Sequence, residues 1–382
     1  MKYYIIAGEA SGDLHGSNLI KALKQEDNAA EFRVWGGDLM QAEVGTVVKH
    51  IRDLAFMGFV EVVKNLRTIL GFMELCKRDV LSFQPDVLIL IDYPGFNMRM
   101  SEWAKQQGIR NFYYISPQIW AWNTKRVHKI KKNVDRMYVI LPFESDFYQK
   151  YNCEVDFVGH PLLDVIESRA IDTSFKDTFN LSEKPIIALL PGSRRQEIST
   201  MLGIFLTLVP NFPNYQFVIA GAPALPASFY DDTIRQFNEK RLLQNQPLIA
   251  GIPVIPNRTY DLLQHAHAAL VTSGTATLET ALFNVPLVIC YKGNPVSYQI
   301  AKRIVDIEYI GLANLIMNRP MIQELIQHDL NTDQLIQALQ HILDGEGRVE
   351  ILKQFKDLKQ TLGGSGASAR TAKLMVERMS KE

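Results

Sequence analysis

The feature that most constrains the fold is a regular alternation of short apolar segments with longer helical patterns. Apolar segments lie at 3–7, 32–37, 86–92, 111–116, 136–142 and 155–161, and after a polar stretch they resume at 186–193, 215–223, 248–256, 268–274 and 286–292. Buried apolar strands that alternate with helices are typical of parallel sheets covered by helices on both faces. The sequence therefore predicts an α/β fold.

The interruption of this pattern near residues 160–185 indicates two domains. A chain of 382 residues, 47% of them hydrophobic, is also longer than one comfortable α/β core requires. We predict two Rossmann-like domains with a cleft between them, the first over 1–165 and the second over 166–341. The polar helical stretch 342–382 would pack back on the first domain or be exchanged with a second copy of the chain.

Composition excludes several classes of partner and location. Lys plus Arg and Asp plus Glu each number 41, so no net charge attracts the chain to nucleic acid, and none is predicted as a partner. The three cysteines, Cys76, Cys153 and Cys290, are far apart, as expected for thiols in a reducing compartment. No apolar run reaches the ~18 residues of a membrane span. We expect a cytoplasmic protein, either soluble or peripheral to a membrane.

The first apolar segment leads into GEASGDLHG (8–16), a glycine-rich stretch that opens a predicted βα unit. Its glycines are spaced four apart, unlike the G-x-G-x-x-G of dinucleotide-binding turns, and Glu9 and Asp13 would repel a pyrophosphate. Ligands of doubly wound folds bind beyond the carboxyl ends of the strands. The stretch therefore predicts a loop that binds hydroxyl groups, with a tight turn and solvated acids as the alternative.

Two strand-to-helix transitions in the second half predict anion sites. In LLPGSRRQEI (189–198), Ser193 and Arg194 precede a helix, and in VTSGTATLETAL (271–282) so do Ser273, Gly274 and Thr275. Free amides, the helix dipole and a guanidinium together bind anions. Two such sites in one domain favour a nucleoside diphosphate, which would be held without a metal since no Asp-x-Asp occurs. Glu279 would accept hydrogen bonds from the ribose.

The strongest candidate for acid–base chemistry is Asp92 in LILIDYPGFN (88–97), directly after a very apolar segment. A carboxylate at the end of a buried strand can have its pKa raised toward that of a general base. The alternative is an aspartate that only caps the next turn.

Two further stretches could meet a membrane. In 55–75 the large apolar residues, including Phe56, Met57, Phe59, Phe72 and Met73, are unusually dense, and the pattern alone favours a core helix over a lipid contact. In 120–136, Lys125, Arg126, Lys129, Lys131, Lys132 and Arg136 surround an apolar stripe of Val127, Ile130 and Val134. A solvated helix face and an anionic membrane surface both explain this basic segment.

Several of these motifs together resemble one family. GEASGD (8–13), MGFVEV (57–62), IDYPGFN (91–97), SPQIWAW (116–122), LPFE (141–144), GHP (159–161), LLPGSR (189–194), SGTATLE (273–279) and LANLI (312–316) occur in the order and spacing of lipid-A-disaccharide synthases. The resemblance covers nearly the whole chain.

This resemblance implies an inverting, metal-independent GT-B glycosyltransferase that needs no cofactor. Such an enzyme condenses UDP-2,3-diacylglucosamine with 2,3-diacylglucosamine 1-phosphate (lipid X), giving the β-1,6 lipid A disaccharide 1-phosphate and UDP. The resemblance also implies that residues 55–75 meet acyl chains or the bilayer. Peripheral binding to the anionic inner-membrane surface would then involve the basic segment, and a homodimer is a further expectation.

The resemblance assigns roles to individual positions. Asp92, Glu9 and Asp13 would be catalytic, and the residues expected to bind substrate are Ser11, Gly12, Ser193, Arg194, Ser273, Gly274, Thr275, Glu279 and Asn314. One departure is visible, because Gly95 stands where the family pattern has a second acid. Two other functions are the alternatives. One is a UDP-GlcNAc 2-epimerase, which needs no acyl-binding surface, and the other is a protein that binds nucleotide sugars or scaffolds a membrane without turnover.

Overall fold

The computed structural model describes residues 1–54, 66–223, 225–295, 298–299, 303 and 308–381, with the side chains of 66 and 67 left out. Contacts divide the chain into two compact units. The first comprises Met1–Glu167 with Leu362–Glu382, and the second comprises Ser168–Thr361.

The first unit contains a sheet whose described strands all run parallel. Their order is β3-β2-β1-β4-β5-β6-β7. The strands are Lys2–Ala7 (β1), Glu31–Gly36 (β2), Lys49–His50 (β3), Val87–Ile91 (β4), Asn111–Tyr114 (β5), Arg136–Val139 (β6) and Val155–Phe157 (β7).

The second unit repeats this arrangement. Its described strands are also parallel, in the order β10-β9-β8-β11-β12-β13. They are Ile186–Leu190 (β8), Gln216–Gly221 (β9), Val254–Pro256 (β10), Ala266–Thr272 (β11), Leu287–Tyr291 (β12) and Glu324–Ile326 (β13). In each sheet the chain adds strands outward from the first one on one side and then on the other, as in Rossmann folds, so the predicted α/β class with two Rossmann-like domains is confirmed.

Helices connect the strands and cover the sheets. Those described are Ala10–Glu26 (α1), Asp38–Val44 (α2), Leu66–Phe83 (α3), Pro94–Gln106 (α4), Ile119–Trp122 (α5), Val127–Asn133 (α6), Pro142–Gln149 (α7), Leu162–Glu167 (α8), Phe175–Thr178 (α9), Arg195–Leu206 (α10), Ala227–Leu243 (α11), Thr259–His265 (α12), Thr275–Leu282 (α13), Leu312–Met317 (α14), Thr332–Leu343 (α15), Gly345–Thr361 (α16) and Ala367–Lys381 (α17). Short 3₁₀ turns span Ile51–Asp53, Thr124–Arg126 and Val209–Asn211.

The central strands form the cores because they are apolar along their whole length. Every residue of β4 is buried, as is every residue of β8, and the core of the first unit gathers around Tyr4, Leu88 and Tyr113. Burial on both faces removes the alternation of polar and apolar residues seen in half-exposed strands. The edge strands β3 and β13 lie outside the predicted apolar segments, and β3, with two residues, is too short to leave such a pattern.

The C-terminal helices belong to both units. Helices α15 and α16 lie in the second unit, whereas α17 packs against α1 in the first. Asp164 of α8 accepts hydrogen bonds from the amides of Gly366, Ala367 and Ser368, at 2.5, 3.2 and 2.9 Å, where α17 begins. A carboxylate at this position neutralises the free amides and the dipole of a helix N-terminus. This contact fixes the chain end to the first unit.

The apolar stretch 55–75 is only partly described. Phe56, Met57 and Phe59 lie outside the described residues. In α3, Met73 is buried in the core and Phe72 packs partly buried against it, in agreement with the core interpretation for this end of the stretch. No helix among the described residues has the length and apolar character needed to cross a bilayer.

The pattern of the basic segment 120–136 predicts a helix, but the segment does not form a single one. It consists of α5, a 3₁₀ turn and α6, and it ends in β6. The predicted inward stripe is present, with Val127 and Ile130 buried. Arg136, however, does not belong to a basic helical face, because it begins β6 and its guanidinium donates to Asp156 at 2.5 and 2.6 Å.

Candidate functional site

Each sheet has one point where the strand order reverses, and the candidate residues lie there. In the first unit this point is between β1 and β4, whose carboxyl ends lead to Glu9 and Asp92. In the second it is between β8 and β11, which lead to Arg194 and Ser273. The connections on either side of such a point go to opposite faces of the sheet and leave a crevice in which ligands bind.

The stretch after β1 is helical rather than a loop. Helix α1 begins at Ala10, so Ser11 lies exposed in its first turn and Glu9 is the exposed residue before it. Gly8 allows a close approach of the two strand ends, because a Cβ there would lie 2.3 Å from the ring of Tyr93. Glycine at position 8 is therefore required by packing.

Asp13 and Gly12 face inward instead of toward a ligand. The Asp13 carboxylate is buried and accepts hydrogen bonds from the amides of Gly37, Leu39 and Met40, at 2.7, 3.0 and 3.0 Å. These amides lie at the start of α2, where a negative charge is stabilised. Gly12 is buried against Ala7. The structure thus gives both residues a part in ordering the strand ends, in place of the expected contacts with sugar hydroxyls.

Asp92 has the electrostatic properties of a general base. Burial raises its pKa to about 6, and the nearby negative charge of Glu9 contributes to the rise. A carboxyl group with this pKa is ionised near neutral pH and still basic enough to take a proton in a transition state.

The backbone at Asp92 is held in an uncommon conformation. Asp92 and Tyr93 have positive φ values of 43° and 48°, and Ile115 at the end of β5 has a φ of 66°. Left-handed backbone is costly for residues other than glycine, above all for a β-branched one, and it clusters at functional sites. The Asp92 carbonyl accepts hydrogen bonds from Asn97 Nδ2 at 2.8 Å and Tyr113 Oη at 2.6 Å, which keep it in this conformation.

A buried acid that the sequence did not predict as a site residue is Glu144, in the motif LPFE. Its Oε2 accepts from the amides of Ile140 and Leu141, at 3.2 and 2.9 Å, at the start of α7. Burial raises the pKa of Glu144 to about 7, despite these two hydrogen bonds, which lower it. The sequence signal was a glutamate at the third position of a helix, which is typical of a capping box.

In the second unit, the turn after β8 places Arg194 at the start of a helix. Gly192 has a φ of 114° and would bring a Cβ within 2.1 Å of the Glu197 carboxylate, so the turn requires glycine. Arg194 is exposed and directly precedes α10. The Ser193 amide donates to Glu197 Oε2 at 3.0 Å. An internal carboxylate thus lies at the point where the helix N-terminus would receive an anion.

The turn after β11 opens α13 in a similar way. Gly274 and Thr275 are exposed at its first residues, and Ser273 Oγ donates to the carbonyl of Ile310 at 3.3 Å. One turn further on, Glu279 is half-buried, and burial raises its pKa while a hydrogen bond from Tyr260 lowers it. The half-buried Glu279 carboxylate can accept hydrogen bonds from hydroxyl groups, and the exposed amides and hydroxyls at the start of α13 can donate to phosphates. The turn therefore suits a ligand that has both kinds of group.

Asn314 does not line this region with its side chain. It is fully buried, its Nδ2 donates to Ile322 O at 2.7 Å and Glu324 Oε1 at 2.8 Å, and its Oδ1 accepts from the Ile322 amide at 2.8 Å. Glu324 also accepts from the amides of Ile310 and Gly311, both at 3.0 Å. Through Glu324, the Asn314 side chain therefore orders the segment at Ile310 that Ser273 contacts. The family resemblance implies a contact of Asn314 with the substrate instead.

Comparison with known proteins decides the family. The family model described as lipid-A-disaccharide synthetase matches residues 3–377. A lipid-A-disaccharide synthase of Trichlorobacter lovleyi is 39% identical over 97% of this chain and 96% of its own length. The chain belongs to the lipid-A-disaccharide synthase family. The resemblance seen in the motifs is confirmed, and the activity is that of a glycosyltransferase of lipid A biosynthesis.

Solved structures with low sequence identity show the fold. The UDP-GlcNAc 2-epimerase of Neisseria meningitidis bound to UDP-GlcNAc has a TM-score of 0.63 and 12% identity, and all of both chains is covered. A glycotransferase of kitacinnamycin has a TM-score of 0.63 and 13% identity, and 99% of this chain and 98% of that chain are covered. The GT-B fold is confirmed by these matches. Full-length sequence similarity to synthases, against similarity in fold alone to epimerases, excludes the epimerase alternative for this chain.

Proposed function

We propose that Asp92 is the general base of this lipid-A-disaccharide synthase. It would take the proton of the 6-hydroxyl of 2,3-diacylglucosamine 1-phosphate as that oxygen attacks the anomeric carbon of UDP-2,3-diacylglucosamine. The bond to the diphosphate breaks as the new glycosidic bond forms, and UDP leaves. The observation that carries this proposal is the raised pKa of a carboxylate held at the switch point of the first sheet.

The second unit would bind the UDP part of the donor. Arg194 and the amides at the starts of α10 and α13 are the groups we assign to the diphosphate. Ser193, Gly274 and Thr275 provide those amides, and Ser273 and Thr275 provide nearby hydroxyls. For the turn at Ser193 to receive a phosphate, Glu197 must release the Ser193 amide. Glu279 would accept hydrogen bonds from the ribose.

The first unit would bind the acceptor. Glu9 and Ser11 are exposed at the start of α1 and could contact sugar hydroxyls. Asp13 would act indirectly, since its carboxylate holds the start of α2 beside them. Both lipid substrates are anchored in a membrane, so we propose a cytoplasmic protein that associates peripherally with the anionic inner-membrane surface. We also propose a homodimer as its assembly.

The direct test of the proposed reaction is UDP release by the purified protein in detergent micelles that contain EDTA. We expect release from UDP-2,3-diacylglucosamine only when 2,3-diacylglucosamine 1-phosphate is present, and a disaccharide 1-phosphate in the mass spectrum of the product. Release without acceptor, or loss of release on addition of EDTA, would contradict the proposed metal-independent transfer.

A second prediction concerns the pair of Glu9 and Asp92. The Glu9 charge raises the pKa of Asp92, so Glu9→Gln should lower that pKa. Activity that requires ionised Asp92 falls as pH drops through its pKa. The acidic limb of the kcat/KM profile should therefore move by a fraction of a unit to lower pH in Glu9→Gln. Ser11→Ala is the control, because it changes a neighbouring residue and keeps the charge of Glu9. If the acidic limb of the kcat/KM profile is the same in Glu9→Gln as in wild type, the ionisation of Asp92 does not set that limb.

A further inference from the structure

The first unit contains a basic pocket that the proposed mechanism does not use. It has a volume of about 460 Å³ and lies between the N-terminal half of α4 and the segment 123–129. Four of its lining side chains are cationic, namely Arg99, Lys125, Arg126 and Lys129, and one, Glu102, is acidic. Like charges at this density repel one another, and an anion in the pocket would relieve that repulsion.

Among the described residues, none lies within ion-pair distance of these four cations as a counter-ion. None of them forms an ion pair or a side-chain hydrogen bond with another residue in the described part of the chain. The neighbouring Arg136 differs, because Asp156 and Glu154 bind its guanidinium. The Arg126 guanidinium lies 4.4 Å from the centre of the Trp122 ring, which holds it in place without neutralising its charge.

The N-terminus of a helix adds to this positive potential. Pro94 and Gly95, the first two residues of the thirteen-residue helix α4, line the pocket. A Cβ built on Gly95 meets nothing within 4 Å, so the space over this turn is open. Pro94 has no N–H, and the amides of Phe96 and Asn97 donate to the carbonyl of Tyr93, so the helix adds its dipole and the amide of Gly95 to the four cations.

The pocket also lies beside the proposed base. Pro94 follows Asp92 by two residues, so the pocket wall begins within about 7 Å of it along the chain. In the acceptor, the phosphate is on C1 and the 6-hydroxyl is carried by C5 through C6, and these two ring carbons flank the ring oxygen. A residue that activates the hydroxyl must therefore have a phosphate site no more than about one ring away.

We propose that this pocket binds the phosphate monoester of the acceptor, with Arg99, Lys125, Arg126 and Lys129 as its cationic ligands. A phosphate monoester carries a charge of about −1.5 to −2 at pH 7, which suits several cations around one site. The inference rests on the proposed acceptor role of the first unit. It assigns the pocket a part in specificity, since an acceptor without the phosphate would leave the cations unpaired.

The test compares two acceptors in neutral detergent micelles, 2,3-diacylglucosamine 1-phosphate and the same lipid without its phosphate. The ratio of their kcat/KM values measures recognition of the phosphate. Arg126→Gln and Lys129→Gln should each lower this ratio about 10-fold or more, through a higher KM for the phosphorylated acceptor, with the donor KM unchanged. Arg126→Lys should retain part of the ratio. Lys150→Gln removes an exposed charge of the same unit outside the pocket and should leave the ratio unchanged.

The competing source of anions is the bilayer surface, and neutral micelles remove it. If the pocket variants pellet less with vesicles containing anionic lipid but keep the wild-type ratio in micelles, the cluster serves the membrane and the inference is overturned. Equal changes in Lys150→Gln would also overturn it. No disaccharide from wild type with either acceptor would overturn the proposed function, and this inference with it, whereas turnover with an unchanged ratio overturns the inference alone.

Discussion

Asp92→Asn should lower kcat by about 10²- to 10⁴-fold, because the amide cannot accept the proton of the attacking hydroxyl. The substitution is nearly isosteric, and the hydrogen bonds from Asn97 and Tyr113 go to the backbone carbonyl, which it leaves in place. Acceptor and donor KM values should change little. Turnover near that of wild type by a folded variant would falsify the role of Asp92 as the base.

The same variant should be more stable than wild type at neutral pH. Because folding raises the pKa of Asp92 from 3.8 to about 6, the ionised carboxylate opposes folding above pH 6, by about 2–3 kcal/mol at most. The penalty shrinks as the pH falls from 6 toward 3.8 and is lost below that value, where the carboxyl is protonated in both states. Denaturant midpoints of Asp92→Asn and wild type should therefore differ at pH 7.5 and coincide near pH 3. Such exchange of stability for activity is typical of active sites.

Arg194→Ala should lower kcat/KM by about 10²- to 10³-fold, since it removes a charged donor from the diphosphate as negative charge develops on departing UDP. Because the side chain is exposed and lies outside the core, the free energy of unfolding should stay within about 0.5 kcal/mol of wild type. UDP release at saturating acceptor, measured over a range of donor concentrations, separates the effect on kcat from that on KM.

Arg195→Gln is the matched control for this variant. Arg195 is the next residue and carries the same charge, but its guanidinium lies 4.9 Å from the centre of the Phe229 ring, at the start of α11. It should therefore keep most of the activity. Comparable losses in both variants would point to a general effect of charge, and no loss in Arg194→Ala would remove this arginine from the diphosphate site.

The sequence by itself determined the fold class and the positions at which the site lies. Central strands of parallel sheets are apolar throughout, so their ends are visible in the sequence. Asp92 and Ser273 follow such ends directly, and Arg194 follows one after a turn of three residues. The family motifs fixed the activity, because nine of them in order leave little room for another function. Both kinds of signal are local along the chain.

Only the tertiary structure decided what each polar side chain contacts. Asp13 and Asn314 looked like ligand-binding residues, but their partners are amides and carbonyls that are distant in sequence or belong to another turn. Likewise, the pKa of Asp92 depends on burial and on Glu9, and the basic pocket depends on the packing of α4 against α6. Burial and hydrogen bonding are set by long-range contacts, and these contacts form only when the strands take their order in the sheet.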